Sequence, residues 1–156
     1  MHGVLASVWK RLEDKDALDA IDDAALEALL VAAADEAIGR QRRDRPTTLS
    51  GRFAAIERDR LVRLARAWLD HERSRGGFTV LATEGQRAAG LGTLKLSLRL
   101  DRVDQLASGE RVVIDYKTGR AAVPSLLGER LDEPQLPLYV TVAEPDAGAL
   151  AAKLRH

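Results

Sequence analysis

The stretch Leu98-Arg-Leu-Asp-Arg-Val-Asp104, followed by Val112-Val-Ile-Asp-Tyr-Lys-Thr-Gly119, constrains this chain more than any other part of it. The first piece mostly alternates apolar with polar residues and ends in acids, as a strand running into a polar site does. The second is a short β-branched run that closes on a turn pair, Thr118-Gly119. Between them, Gln105-Leu-Ala-Ser-Gly-Glu110 has the Ser-Gly chemistry of a hairpin connection. Alternation on the second strand sets Asp115 and Lys117 on one face and Val112, Ile114 and Tyr116 on the other. Two residues of strand separate the Cα atoms of Asp115 and Lys117 by ~6.6 Å. A carboxylate and an ammonium at that spacing, beside Asp101 on the neighbouring strand, can hold a divalent metal and an activated water together.

Helical periodicity dominates the residues before this core. Leu5, Val8, Trp9 and Leu12 have the spacing of a first helix. Asp22 or Asp23 is placed to cap a second, with Leu26, Leu29, Leu30, Ala33, Ala37 and Ile38 on its apolar side and Gly39 as its stop. Arg40 to Pro46 then reads as a basic loop. Ser50 is placed to cap a third helix through Phe53, Ile56, Leu61, Leu64, Trp68 and Leu69, ended by Gly76-Gly77. Trp68 reads as core, and His71 as one half of a surface pair with Glu72.

A first strand follows, Phe78 to Glu84, with Phe78, Val80, Ala82 and Glu84 on one face. A carboxylate ending an apolar face is costly to bury without a partner, which draws notice to Glu84. The second strand runs from about Thr93 to Asp104, with Leu94, Leu96, Leu98 and Leu100 opposite Lys95, Ser97, Arg99 and Asp101. Asp104 falls toward the hairpin and reads as a turn residue, and Arg102 is suited to pairing with a carboxylate. The segment from Arg120 to Leu131 has no period and reads as a loop beside the site. Pro134 fits the first turn of a helix capped by Asp132, which sets Gln135 and Tyr139 four apart on one face. The tail from Ala147 to His156 favours helix by propensity alone.

Length and composition bound the function. With 156 residues the expectation is one domain, mostly helical over 1–76 and carrying the sheet over 77–156. The absence of cysteine excludes disulfides, thiolate zinc sites and iron–sulfur clusters. Charged residues interrupt the start of the chain and no apolar run approaches spanning length, so the expected location is the cytoplasm, without a membrane partner. Net charge is zero but unevenly spread: −6 over residues 1–39, +6 over 40–75, and balanced over 76–156. The Arg-rich middle, Arg42 and Arg43 within it, is either a phosphate-tracking surface or a solvated face laced with ion pairs.

The phrases Leu100-Asp-Arg-Val-Asp104, Val113-Ile-Asp-Tyr-Lys-Thr-Gly119 and Gln135-Leu-Pro-Leu-Tyr139 together resemble the RecB-like branch of the PD-(D/E)XK nuclease superfamily. Asp-x-Lys alone is common, whereas three phrases in order and spacing are specific. The resemblance implies an α+β fold with a restriction-endonuclease-like αβββαβ core, a small mixed sheet, and additional helices at the N-terminal side. It implies a strand where the tail favours helix. It also implies a metal-dependent deoxyribonuclease of DNA repair or recombination, whose catalytic residues are Asp101, Asp115, Lys117, Gln135 and Tyr139. Mg²⁺ or Mn²⁺ would be held by Asp101, Asp115, the backbone carbonyl of Tyr116 and His2, with Glu84 reaching the ion directly or through water. Arg42, Arg43 and Arg120 would contact DNA. Some relatives of this branch carry a four-cysteine cluster, which this chain lacks. His2 has only Met1 before it and lacks the glycine-containing lead-in of that branch. The expectation is therefore a module of a larger protein, working with a helicase-like region of the same parent or of a partner subunit. The competing expectation is a catalytically idle RecB-like module that binds DNA or scaffolds a helicase–nuclease complex. Retention of Asp101, Asp115 and Lys117 together speaks against it.

Overall fold

A computed structural model describes residues 1–44, 51–91, 94–117 and 147–153. The chain divides into two compact units, Met1–Arg75 and Gly76–His156.

The first unit is helical: α1 His2–Leu12, α2 Lys15–Ala20, α3 Asp23–Asp44 and α4 Arg52–Arg73. Helix α1 buries Leu5, Val8, Trp9 and Leu12, as its spacing predicts, and Val4, Ala6 and Ser7 with them. It stops at Glu13, whose φ of 65° turns its amide back to donate to the Trp9 carbonyl at 2.9 Å. The short α2 was not apparent in the periodicity, although its signal is a cap: Asp14 accepts from the Ala17 amide at 2.7 Å. Of the two candidate caps for α3, Asp22 serves, accepting from the Ala25 amide at 2.7 Å.

Gly39 does not stop α3. A helical glycine costs only about 1 kcal/mol relative to alanine. Against that, Ile38 is buried beside it, Arg40 pairs with Glu36 one turn back at 3.0 Å, and Arg40 Nη2 donates to the Gly3 carbonyl at 3.2 Å. Residues 40–44, read as loop, are therefore helix. Helix α4 begins at an N-cap Gly51 with no side-chain cap, and Ser50 lies outside the described residues. Leu61, Val62, Ala65, Trp68 and Leu69 are buried, but Phe53 and Ile56 are 72% and 57% exposed and do not belong to the core. Glu72 is fully buried and paired with Arg75 at 2.6 Å rather than with His71, whose ring lies 5.3 Å from that of Trp68.

The second unit carries β1 Phe78–Thr83, β2 Gln86–Leu91, β3 Leu94–Arg99, β4 Arg102–Leu106, β5 Arg111–Lys117 and β6 Ala147–Lys153. Four strands form one sheet in the order β1-β4-β5-β6, and β2 and β3 pair separately. Strand β4 is antiparallel to both its neighbours, β1 and β5, and β6 is parallel to β5. The hairpin between β4 and β5 turns at Ser108-Gly109, where glycine supplies a φ of 88° that other residues rarely adopt. The tail is strand, against its helix propensity, because β5 offers it an edge: the register runs from Arg111↔Ala147 to Lys117↔Lys153. These elements make an α+β fold. The expected helix around Gln135 and Tyr139 lies outside the described residues.

Two sequence expectations change here. The single strand expected from Thr93 to Asp104 is two, β3 and β4, parted by a bend at Leu100-Asp101. Its partner breaks at the same level, between β1 and β2, where Glu84 has a φ of 49°. Two bonds hold the chains together across the break: the Glu84 amide donates to the Asp101 carbonyl at 2.9 Å and the Leu100 amide to the Gly85 carbonyl at 2.8 Å. Strict alternation along β1 also fails. The register slips at Leu81, so Val80 lies opposite Asp104 and Ala82 opposite Val103, on different faces. An alternating apolar pattern cannot show such a bulge, because the extra residue is itself apolar.

Candidate active site

The register decides which acids meet. Thr83 pairs with Arg102 on one side of the break and Gln86 with Arg99 on the other, so Glu84 stands opposite Asp101. Between β4 and β5, Arg102 pairs with Ile114, and the next step sets Asp101 opposite Asp115. Glu84, Asp101 and Asp115 therefore share one row across three adjacent strands, at the level where the sheet bends. Asp101 and Asp115 are both half-buried.

Asp101 also makes a specific bond at this level. The Tyr116 amide donates to Asp101 Oδ2 at 2.8 Å, a side-chain bond one step past the last backbone pair of the β4–β5 ladder. The central residue of Asp115-Tyr116-Lys117 thus orients the carboxylate opposite. Lys117 occupies the last position of β5, in register with Lys153, and its side chain lies outside the described ones. The carboxylate of Glu84 is turned toward Arg99, with Oε1 3.4 Å from Nη2.

On the other face, Arg102 and Asp104 are fully buried and Tyr116 nearly so. Arg102 Nε and Nη2 donate to the two oxygens of Asp104 at 2.5 and 2.6 Å, and Nη1 donates to the Tyr116 hydroxyl at 3.1 Å. The guanidinium also lies 4.7 Å from the centre of the Phe78 ring. Arg102 has the carboxylate its sequence suggested. Asp104 is a correction: it lies inside β4, fully buried, rather than in a turn. The signal was legible as Arg-x-Asp at strand spacing, which puts both on one face.

The remaining expected site residues divide by unit. His2 opens α1 in the helical unit and is half-buried. Arg42 and Arg43 are exposed in the last turn of α3. Arg120, Gln135 and Tyr139 lie outside the described residues.

Among the described residues no three His, Cys, Asp or Glu side chains converge into a metal cage. Two acids do meet across a strand pair, and their chemistry suits a hard cation. Like charges directly opposite one another destabilise a sheet, and a divalent ion between them removes that cost. Carboxylate oxygens are the donors Mg²⁺ and Mn²⁺ prefer. Asp101 and Asp115 thus fit two positions of such a site.

The Arg-rich middle resolves into two populations. Arg40, Arg58, Arg60, Arg66, Arg73 and Arg75 are paired with Glu36, Asp59, Glu57, Glu27, Asp70 and Glu72 at 2.6 to 3.5 Å. The hydrogen bond from Arg60 holds the Glu57 carboxyl below its usual range, and Glu57 in turn raises Arg60. By contrast Arg42, Arg43, Arg52 and Arg63 are exposed, and no ion pair engages them among the described residues. Arg66 near the end of α4 reaches Asp23 and Glu27 at the start of α3, so the two helices run antiparallel. Arg42, Arg43 and Arg52 therefore gather at the same end of the pair.

The chain belongs to the PD-(D/E)XK nuclease superfamily, whose family model matches residues 1–155. No curated protein sequence matches it. Membership supports nuclease chemistry and, with it, use of a divalent metal. No helix among the described residues is long and apolar enough to cross a membrane.

Proposed function

We propose that this chain is a metal-dependent deoxyribonuclease domain of the RecB-like branch, with one αβββαβ core, serving DNA repair or recombination in the cytoplasm within a larger helicase–nuclease assembly. The observation that carries the proposal is the opposition of Asp101 and Asp115, with Asp101 oriented by the amide of the residue between Asp115 and Lys117. Superfamily membership supports the nuclease part. The RecB-like branch and the helicase context rest on the resemblance of the three phrases.

The roles follow from charge. Asp101, Asp115 and the Tyr116 carbonyl would hold Mg²⁺ or Mn²⁺, with Glu84 as a ligand directly or through water and His2 as a further ligand. When bound, the cation neutralises phosphate charge and makes a coordinated water more acidic. Lys117, with no lone pair to give a metal while charged, orients the attacking water or stabilises the charge that grows on the phosphate. Gln135 and Tyr139 position the backbone of the DNA or hold the helix beside the site. Arg42, Arg43 and Arg120 contact phosphates, and the exposure of Arg42 and Arg43, which no ion pair engages among the described residues, supports their part.

Purified protein incubated with linear and plasmid DNA tests this. Cleavage should require Mg²⁺ or Mn²⁺, stop with a chelator, and vanish in Asp101→Ala. DNA binding without cleavage under every metal condition would favour the idle module instead.

A further inference from the structure

We propose that Arg102 and Asp104 form a positioning device which, through Tyr116, sets the spacing of Asp101 and Asp115 on the opposite face. The idea rests on the metal-site reading above but assigns residues outside it.

Burying an arginine and an aspartate completely is a poor way to stabilise a sheet. Apolar residues of similar volume often do as well or better, since desolvation of both ions offsets their attraction. What the pair does supply is geometry. A guanidinium is a rigid planar fork, and here two of its arms are taken by Asp104, which leaves the third aimed at the Tyr116 hydroxyl. The Phe78 ring against the guanidinium limits the tilt of that plane. Tyr116 is thereby held at two points, its hydroxyl by Arg102 and its amide by Asp101 Oδ2. Asp115 precedes Tyr116 and Lys117 follows it, and strand alternation turns both away from Arg102. A shift of the phenol along the sheet would move the Tyr116 amide, and with it both the Asp101 carboxylate and the backbone carrying Asp115. Partners that orient metal-binding groups from behind typically matter by about 10- to 100-fold in metal affinity or activity.

The test compares wild type with Tyr116→Phe and with the double variant Arg102→Met/Asp104→Leu, which removes both buried charges together. Melting temperature and amide hydrogen exchange are measured without metal, Mn²⁺ affinity by calorimetry, and kcat and KM on DNA last. Both variants are expected to exchange the Tyr116 amide about 10-fold faster relative to the Val113 and Ile114 amides. Both should bind Mn²⁺ about 10- to 100-fold more weakly and lose kcat in step, at unchanged KM for DNA. Unchanged relative exchange and Mn²⁺ affinity in a folded variant would overturn the proposal, whatever the melting temperature. If the double variant does not fold, Tyr116→Phe decides by the same readouts. If wild type cuts no DNA, the nuclease reading fails, while exchange at Tyr116 still decides whether Arg102 fixes it.

Discussion

Asp115 and Lys117 stand two residues apart on one strand, yet their loss should have different consequences. Asp115→Ala removes an oxygen ligand, so calorimetric Mn²⁺ binding and DNA cleavage should both disappear. Lys117→Ala removes no ligand and deletes a charge that repels the cation, so Mn²⁺ affinity should hold or rise. Cleavage should nonetheless fall by about two to four orders of magnitude, the scale of one oriented proton-transfer or charge-stabilising group. Wild-type cleavage by Lys117→Ala would mean that the Asp-x-Lys assignment is wrong. Glu84 poses a second question at the same scale. It holds a φ of 49°, a conformation that costs a non-glycine residue roughly 1–2 kcal/mol. Glu84→Gly should relieve that strain, leaving unfolding free energy equal or up to about 1 kcal/mol higher after glycine's own entropy cost. If the carboxylate serves the metal, the same variant should bind Mn²⁺ more weakly, and Glu84→Gln should share the weakening without the stabilisation. Undiminished affinity in both would reduce Glu84 to a structural residue of the bend.

Elements show where sequence patterns carry and where they stop. Asp22 was legible as one of two candidate caps because its chemistry is local: one carboxylate and an amide three residues on. Asp22→Ala should therefore lower stability by about 1 kcal/mol in chemical denaturation. The hairpin at Ser108-Gly109 and the faces of β5 were legible for the same reason, since turn chemistry and alternation act within a few residues. The end of α3 was not, because what carries it past Gly39 comes from elsewhere in the chain, through Ile38 burial and the Arg40 bond to Gly3. Nor was the register of β1, where Leu81 adds one apolar residue to an apolar strand and moves Ala82 to the other face. The acids of the candidate site were visible in sequence as residue types in a familiar spacing. Their arrangement in one row depends on the bend between β3 and β4, which periodicity read as one continuous strand. Phe53 and Ile56 fit helical spacing yet are exposed, because an apolar residue at a favourable position still needs a neighbour to cover it.

Over the whole chain, charges sum to zero, and only the pairing pattern distinguishes a surface suited to a polyanion from one that is internally neutralised. Along α3 and α4 most arginines already face a carboxylate, so they offer phosphate little that is not spent within the protein. Arg42 and Arg43 are different, exposed at the end of α3 with no ion pair among the described residues. If they contact phosphate, each releases about 0.9 counterion per duplex phosphate neutralised. Reversing both to glutamate should then weaken binding to all sequences alike and reduce the slope of log affinity against log salt by about two. Arg60→Gln supplies the contrast, since Arg60 is held by Glu57 through two bonds at 2.8 Å and should leave that slope unchanged. Fluorescence anisotropy on labelled duplexes over a range of salt concentrations measures both. An equal slope in wild type and in the Arg42→Glu/Arg43→Glu protein would return those arginines to a solvated surface. A slope lowered equally by Arg60→Gln would mean that ion pairing does not select the residues that meet DNA.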